Sequence, residues 1–265
     1  MKLVRVEHQD GQIRYGVLDE AMVREVEGDP FGAWEVRSNA IPLERVRRLL
    51  HPVVAPNIYA IGLNYRTHAD EGGHPYPKEP IVFLKATTSL SNPDDPVVLP
   101  RSAPEQVDYE GELALVIGKT ARRVSEQDAM AHVLGYTAAN DISARDCQLV
   151  RDVQWTRGKS FDSFGPLGPA VQTEGDPDNV RLQLRLNGTV MQDTSTSDLI
   201  FSCRQLVSFL SHQFTLLPGT VILTGTPGGV GRARRPPVFL RPGDRVEVEL
   251  EGVGTLANDI VSDAG

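Results

Sequence analysis

The stretch from Val107 to Gln148 constrains this chain more than any other part of it. Its first half, V-D-Y-E-G-E-L-A-L-V-I-G, carries apolar side chains at every second position and predicts a β-strand. The alternation places Glu110 and Glu112 on one face of this strand, about 7 Å apart. Two carboxylates in that arrangement repel each other unless water or a cation lies between them. The strand is therefore predicted to border a charged site.

The second half of the stretch, N-D-I-S-A-R-D-C-Q, supplies a third acid, Asp141, at the predicted start of a helix. On that helix Asp141, Arg145 and Gln148 would lie within about 40° of one another. An acid, a guanidinium and an amide on one face suit a polar ligand, and a solvated helix face is the alternative. We interpret Glu110, Glu112 and Asp141 as ligands of one divalent cation, because all-oxygen sets favour hard cations over zinc.

Composition narrows the class of protein. The chain has 265 residues, 40% hydrophobic and 23% charged, so one large globular domain with a small appended one is expected. The net charge of -8 argues against nucleic-acid binding, which needs a basic face. The short basic cluster from Arg232 to Arg235 is predicted to be a solvated loop. No apolar run is long enough to span a membrane and no leader-like segment opens the chain, so we expect a cytoplasmic protein.

The two cysteines, Cys147 and Cys203, do not form a C-x-x-C pair. A thiolate metal site and a disulfide framework are therefore not expected. Cys147 is interpreted as a buried, inert thiol rather than as a nucleophile.

Local patterns predict a chain rich in strands. Residues 2–27 indicate a β-meander that turns at Asp10 and Gly11, and alternating leucines before Asn187 and Gly188 indicate another hairpin. Capping-box patterns predict one helix from Ser125 to Leu134 and a second that begins at Ser202.

A short helical turn is predicted after the apolar strand that ends near Gly62, and Gly72 with Gly73 would stop it. His68 and Glu71 share one face of this turn. A carboxylate beside an imidazole orients the ring and raises its basicity, as a general base requires. An ordinary surface pair is the alternative.

Three further polar residues follow strands or lie in loops. Lys159 lies in a loop dense in glycine and proline, and beside three carboxylates it would stay charged and bind a substrate carboxylate or enolate oxygen. Lys85 either faces the same site or only marks the end of a strand. The loop T-G-T-P-G-G-V-G lacks the G-K-[ST] of a nucleotide-binding loop, so we expect its N–H groups and the Thr226 hydroxyl to face an anionic ligand.

Taken together, the motifs G-L-N-Y-x-x-H-x-x-E, D-Y-E-G-E-L-A-L-V-I-G, N-D-I-S-A-R-D-x-Q, G-K-S-F-D and T-G-T-P-x-G-V-G resemble the fumarylacetoacetate hydrolase family over residues 56–261. The resemblance implies a mainly β fold with few helices (α+β), a mixed β-sandwich roll. Residues 1–50 would be a small β-rich amino-terminal extension, and residues 56–262 the catalytic domain. It also implies a homodimer.

The resemblance assigns roles to the residues singled out above. Mg²⁺, or Mn²⁺ or Ca²⁺ in its place, would bind the three acids. Lys159 would be the active-site lysine, and His68 with Glu71 the acid–base pair. The substrate contacts would be Arg145, Gln148 and Thr226, to which we add Lys85. The segment R-A-R-R-P-P-V-F-L departs from the shortest family members, which leaves the substrate open.

The first hypothesis is hydrolysis of a carbon–carbon bond in a small acylpyruvate-type diketo acid, such as a fumarylpyruvate or acetylpyruvate, through a metal-stabilised pyruvate enolate. Such a reaction belongs to aromatic or sugar acid catabolism. The same enolate serves an oxaloacetate decarboxylase, a keto-acid tautomerase, or a hydratase or dehydratase of keto-deoxy sugar acids. A non-catalytic module that binds a cation and an acidic metabolite is the remaining alternative.

Overall fold

The computed structural model describes residues 1–263, which form a mainly β fold with few helices, as predicted. The strands are β1 Lys2–Glu7, β2 Ile13–Asp19, β3 Met22–Gly28, β4 Trp34–Pro42, β5 Arg48–Leu50, β6 Ile58–Gly62, β7 Ile81–Lys85, β8 Leu90–Ser91, β9 Val97–Leu99, β10 Val107–Asp108, β11 Gly111–Ile117, β12 Val133–Asn140, β13 Ser143–Ala144, β14 Gly165–Gln172, β15 Arg181–Leu186, β16 Thr189–Ser195, β17 Val221–Leu223, β18 Arg245–Leu250 and β19 Gly254–Ser262. The helices are α1 Arg66–Gly72, α2 Thr156–Lys159 and α3 Cys203–Gln213, with a π-helical turn at Cys147–Arg151. None of the helices in this range has the length and hydropathy that crossing a membrane requires.

Two sheets form the body of the molecule. The larger has 12 strands in the order β4-β3-β2-β1-β14-β12-β11-β17-β6-β7, with β5 on β1 and β8 on β14. The smaller has five strands in the order β16-β15-β18-β19-β9. Because β1 pairs antiparallel with β14, the amino-terminal strands extend the large sheet.

Strand β11 lies at the centre of the fold and is buried along its whole length. Leu113 and Leu115 share one apolar cluster with leucines of β15, such as Leu184, whereas Ala114 and Val116 belong to a cluster on the other side of the large sheet. Apolar cover on both faces, worth roughly 1.5–3 kcal/mol per large side chain, fixes the register of β11. The position of this strand in turn fixes Glu110, which precedes it, and Glu112 near its start.

Two local predictions are confirmed. Asn187 (φ 52°) and Gly188 (φ 77°) make the tight turn between β15 and β16. Helix α3 begins after Ser202, whose side chain and that of Gln205 form the predicted capping box, and its apolar face is buried through Leu206 and Leu210.

The helix predicted from Ser125 to Leu134 is wrong. Ser125 does bond to Asp128, but only one 3-10 turn follows, at Ala129–His132, before β12 begins at Val133. Gly135 lies inside β12, where a Cβ atom would be 2.2 Å from the Gln172 carbonyl oxygen. Pairing of β12 with both β11 and β14 overrides the local helix signal.

The helix predicted to begin at Asp141 is also wrong. Asp141 lies in a loop after β12, and Ser143 with Ala144 forms β13, which pairs with β10. Helical backbone begins only at Arg145 and continues as the π-helical turn. Asp141, Arg145 and Gln148 therefore do not share one helix face. The pairing of β13 with β10 and the π-helical turn that follows set their positions instead.

Candidate metal and acid–base site

Three buried carboxylates meet at the end of the β11–β12 pair. Oxygen atoms of Glu110, Glu112 and Asp141 all lie within 4.8 Å of one another. Asp141 donates its N–H to the Glu110 carbonyl at 2.8 Å, and Glu110 donates its N–H to the Asn140 side chain at 3.0 Å. The backbone thus joins the two segments that carry the acids, and the prediction that the acids converge is confirmed.

Two lysine ammonium groups enter this cluster. Lys159 Nζ lies 2.6 Å from Glu110 Oε2 and 2.5 Å from Asp141 Oδ2. Lys85 Nζ lies 2.7 Å from Asp141 Oδ1 and donates to the backbone carbonyl of Lys159. Both lysines are buried. Of the two alternatives for Lys85, the structure shows the one in which it faces the site.

Arg145 contributes a third cation to the cluster. Its Nε donates to Asp108 Oδ2 at 2.9 Å, its Nη2 lies 2.7 Å from Glu110 Oε1, and its Nη1 donates to Gln148 Oε1 at 3.0 Å. Its guanidinium is thus occupied by the protein's own groups, and the substrate contacts proposed for Arg145 and Gln148 stay predictions.

Asp108 is a site residue that the sequence reasoning missed. It is fully buried and accepts N–H groups from Gly231 at 2.8 Å and Arg232 at 3.0 Å, besides its pair with Arg145. The only signal in the sequence was its place as the first acid of D-Y-E-G-E.

The charges of this cluster make it suitable for a divalent cation. Glu112 has no ion pair among residues 1–263, and its side chain accepts the Gly225 N–H at 2.8 Å. Burial and the negative charges of Asp141 and Glu110 raise the pKa of Glu112 well above its usual range. Burial also raises the pKa of Glu110, but Arg145, Lys159 and His68 outweigh it and lower the pKa. An all-oxygen, buried donor set with one unpaired acid fits a hard cation.

With every group ionised, four buried carboxylates (Asp108, Glu110, Glu112, Asp141) face three cations (Lys85, Arg145, Lys159), a net charge of about −1. A divalent cation would reverse that charge to about +1, which favours an anionic substrate.

Helix α1 carries the predicted acid–base pair. His68 Nδ1 lies 3.7 Å from Glu71 Oε2, and the positive φ of Gly73 (65°) ends the helix as predicted. The Glu71 carboxylate accepts the Gly229 N–H at 3.0 Å on each oxygen. Burial raises the pKa of Glu71, but His68 and the Gly229 N–H outweigh it, so the net shift is downward. Glu71 is therefore ionised at neutral pH and held by the glycine-rich loop.

The glycine-rich loop, residues 224–231, directs its N–H groups at the protein's own acids. Gly225 donates to Glu112, Gly229 to Glu71 and Gly231 to Asp108. The Thr226 hydroxyl donates to the Gly111 carbonyl at 3.0 Å and accepts from Gln192 at 2.9 Å. The loop ties the cation cluster to helix α1, and its contact with a substrate anion stays a prediction.

The basic cluster after this loop is solvated only in part. Arg232 and Arg235 are exposed, as predicted, but Arg234 is half-buried and bonds to backbone carbonyls. Both cysteines are free and buried, as expected for inert thiols.

Known proteins and family models are similar to this sequence. The model of the fumarylacetoacetate hydrolase C-terminal family matches residues 57–261, and that of the Rv2993c-like N-terminal family matches residues 1–52. A protein of Archaeoglobus fulgidus described as uncharacterized is 49% identical over 221 residues, which cover 83% of this chain and 84% of that one. Human oxaloacetate tautomerase FAHD2A, mitochondrial, is 48% identical over 217 residues, which cover 80% of this chain and 69% of that one.

Solved structures agree with the sequence matches. The 2-hydroxyhepta-2,4-diene-1,7-dioate isomerase of Mycobacterium marinum superposes with a TM-score of 0.89 at 38% identity and covers 100% of both chains. The fumarylacetoacetate hydrolase of Exiguobacterium antarcticum gives 0.89 at 36% identity, over 99% of this chain and 100% of that one. The chain belongs to the fumarylacetoacetate hydrolase family.

Proposed function

We propose that this protein is a divalent-cation-dependent enzyme that interconverts the keto and enol forms of a small 2-keto dicarboxylate, with oxaloacetate as the first candidate. The observation that carries the proposal is the buried cluster of Glu110, Glu112 and Asp141, lined by lysine and arginine and linked by one loop to His68 and Glu71. A cation held by the three acids would supply Lewis-acid charge beside the substrate oxygens.

Lys159 supplies positive charge that the protein itself fixes in place. Burial lowers the pKa of this lysine, but the charges of Asp141 and Glu110 raise it, and the net shift is upward. The ammonium is therefore present at neutral pH and can bind an oxygen that gains negative charge as a proton leaves carbon. Lys85 and Arg145 keep Asp141 and Glu110 oriented during this change.

His68 is the group that moves the proton. Its Nδ1 faces Glu71, so Nε2, on the opposite side of the ring, is the nitrogen left for the substrate. Ketonisation removes the proton of the enol O–H and adds one to the neighbouring carbon, and the reverse reaction does the opposite. No atom is gained or lost, so one acid–base group suffices and no nucleophile is required.

Hydrolysis of an acylpyruvate is the second candidate. It passes through a similar enolate but also needs an ordered water and a protonated carbon leaving group. The Exiguobacterium antarcticum hydrolase, 36% identical, favours it. Several relatives named oxaloacetate tautomerase, among them human FAHD2A at 48% and a bovine one at 46% identity, favour tautomerisation as the first candidate.

The test follows the ultraviolet absorbance of enol-oxaloacetate after dilution into weak buffer with Mg²⁺, with and without protein. We expect the wild type to accelerate ketonisation. His68→Gln should lower the catalysed rate by roughly 10²–10⁴-fold. The matched control His74→Gln, at an exposed position, should keep the wild-type rate. Release of CO₂ would indicate a decarboxylase. Release of pyruvate from an acylpyruvate, without effect on oxaloacetate, would make hydrolysis the function. Cation binding with no turnover of any keto acid would leave only a binding module.

A further inference from the structure

The Arg234 side chain contacts the glycine-rich loop, whereas Arg232 and Arg235 are exposed. Its Nε and Nη2 each lie 3.3 Å from the Gly229 carbonyl oxygen, and Nη2 also donates to the carbonyl of Met191. Arg235, the next residue, is exposed, and its guanidinium donates to the Arg234 carbonyl at 3.4 Å. Arg234 is thus a built-in contact of the loop rather than part of a solvated patch.

Arg234 hydrogen-bonds to Gly229, and Gly229 in turn hydrogen-bonds to Glu71. The Gly229 carbonyl accepts from Arg234 and from the Tyr109 hydroxyl at 3.2 Å, while the Gly229 N–H donates to both Glu71 oxygens at 3.0 Å. Gly229 has φ of 102°, and a Cβ atom there would be 2.2 Å from the Met191 carbonyl oxygen. Arg234 and Tyr109 thus fix the orientation of the Gly229 carbonyl, and this orientation directs the Gly229 N–H at Glu71.

The charge of Arg234 favours the same position of Glu71 as the hydrogen bonds through Gly229 do. The positive charge of Arg234 acts on Glu71, which also faces His68. With Arg234 in place, the Glu71 carboxylate is attracted toward the loop at the point where the Gly229 N–H meets it.

We infer that Arg234 is a positioning residue for the His68–Glu71 pair: it fixes Gly229, and the Gly229 N–H fixes Glu71. Arg234 does not act on the substrate in this scheme. Its effect on turnover rests on the proposed function, whereas its effect on helix α1 does not.

The kinetic test compares Arg234→Ala with its matched neighbour Arg235→Ala. We expect Arg234→Ala to lower kcat for oxaloacetate roughly 10- to 100-fold with KM and Mg²⁺ affinity unchanged, because the acid–base pair is displaced while the cation cluster is intact. Arg234→Lys should restore part of kcat. Combining Arg234→Ala with Glu71→Gln should lower kcat no further than Glu71→Gln alone. Equal kcat values for the two alanine variants would overturn the inference.

A second experiment, which measures backbone exchange, needs no substrate. Hydrogen–deuterium exchange of the intact proteins is measured on peptides that cover residues 66–73 and 225–231, alongside thermal unfolding. Faster exchange of both peptides in Arg234→Ala, but not in Arg235→Ala or Arg234→Lys, supports the positioning role. Unchanged exchange overturns it even if the wild type turns over oxaloacetate. Faster exchange in a protein that turns over no keto acid would support the contact and reject the proposed function.

Discussion

Lys159 Nζ lies 2.6 Å from Glu110 Oε2 in a cluster where both side chains are almost fully buried. An ammonium in this position has two effects. It offsets the negative charge of the carboxylate, and it competes with any cation for the same oxygen. The first effect would serve the proposed reaction, whereas the second opposes cation binding.

Replacing Lys159 separates these two effects. Lys159→Gln should lower kcat by about 10²–10³, the usual cost of losing one group that stabilises a developing oxyanion. Its Mg²⁺ affinity, measured by titration calorimetry, should be at least that of the wild type because a competing cation is gone. Lys119→Gln, at an exposed position, is the control and should change neither quantity. A variant that loses Mg²⁺ binding together with activity would contradict this account.

Of the three clustered acids, Glu112 is the one with no ion pair among the described residues, so its carboxylate is expected to gain most from a bound cation. Glu112→Gln should weaken Mg²⁺ binding at least roughly 10- to 100-fold, the range found when even the outer shell of a metal site is altered. Without added metal the variant should be as thermostable as the wild type or more so, because burial and the neighbouring acids already disfavour the ionised carboxylate of Glu112. The measurement is the melting temperature with Mg²⁺ and with EDTA.

The exposed Glu249→Gln serves as the control for Glu112→Gln and should respond to Mg²⁺ as the wild type does. An undiminished Mg²⁺-induced rise in melting temperature in Glu112→Gln would show that the cation binds elsewhere.

Asp108 holds Arg145 and the N–H groups of Gly231 and Arg232. Asp108→Asn leaves a buried guanidinium with a weakened partner, which should lower the free energy of unfolding by about 3 kcal/mol. Urea denaturation measures the change. Asp162→Asn, at an exposed position, should stay within about 0.5 kcal/mol of the wild type. A change of that small size in Asp108→Asn would mean that the N–H groups and Arg145 find other partners.

The two cysteines should be unreactive in the native state. Burial raises the pKa of Cys147, and burial with the charge of Asp178 raises the pKa of Cys203 well above its usual range. A raised pKa means less thiolate at neutral pH, so labelling by a disulfide reagent should be slow near pH 7 and become faster as pH rises. In urea both thiols should react at the ordinary rate. Rapid labelling of a native thiol would disagree with this burial.

Local sequence patterns were sufficient where local physics decides. The β11 strand, the turn at Asn187 and Gly188 and the capping box at Ser202 depend on alternation, positive φ angles and side-chain caps within a few residues. They failed where distant strands compete. The cap at Ser125 was followed by a strand because β12 is paired on both sides, an interaction that no local window contains.

The sequence by itself determined which residues are the candidates for the chemistry: two acids two positions apart on a strand, a third at Asp141, and a histidine and glutamate on one helical turn. Only the tertiary structure decided how they are held. Lys85 turns inward, Asp108 joins Arg145 to the glycine-rich loop, and Arg234 reaches Gly229 because strands distant in sequence pack side by side. Distances of this kind depend on sheet register and burial, which arise from the whole chain rather than from any one segment.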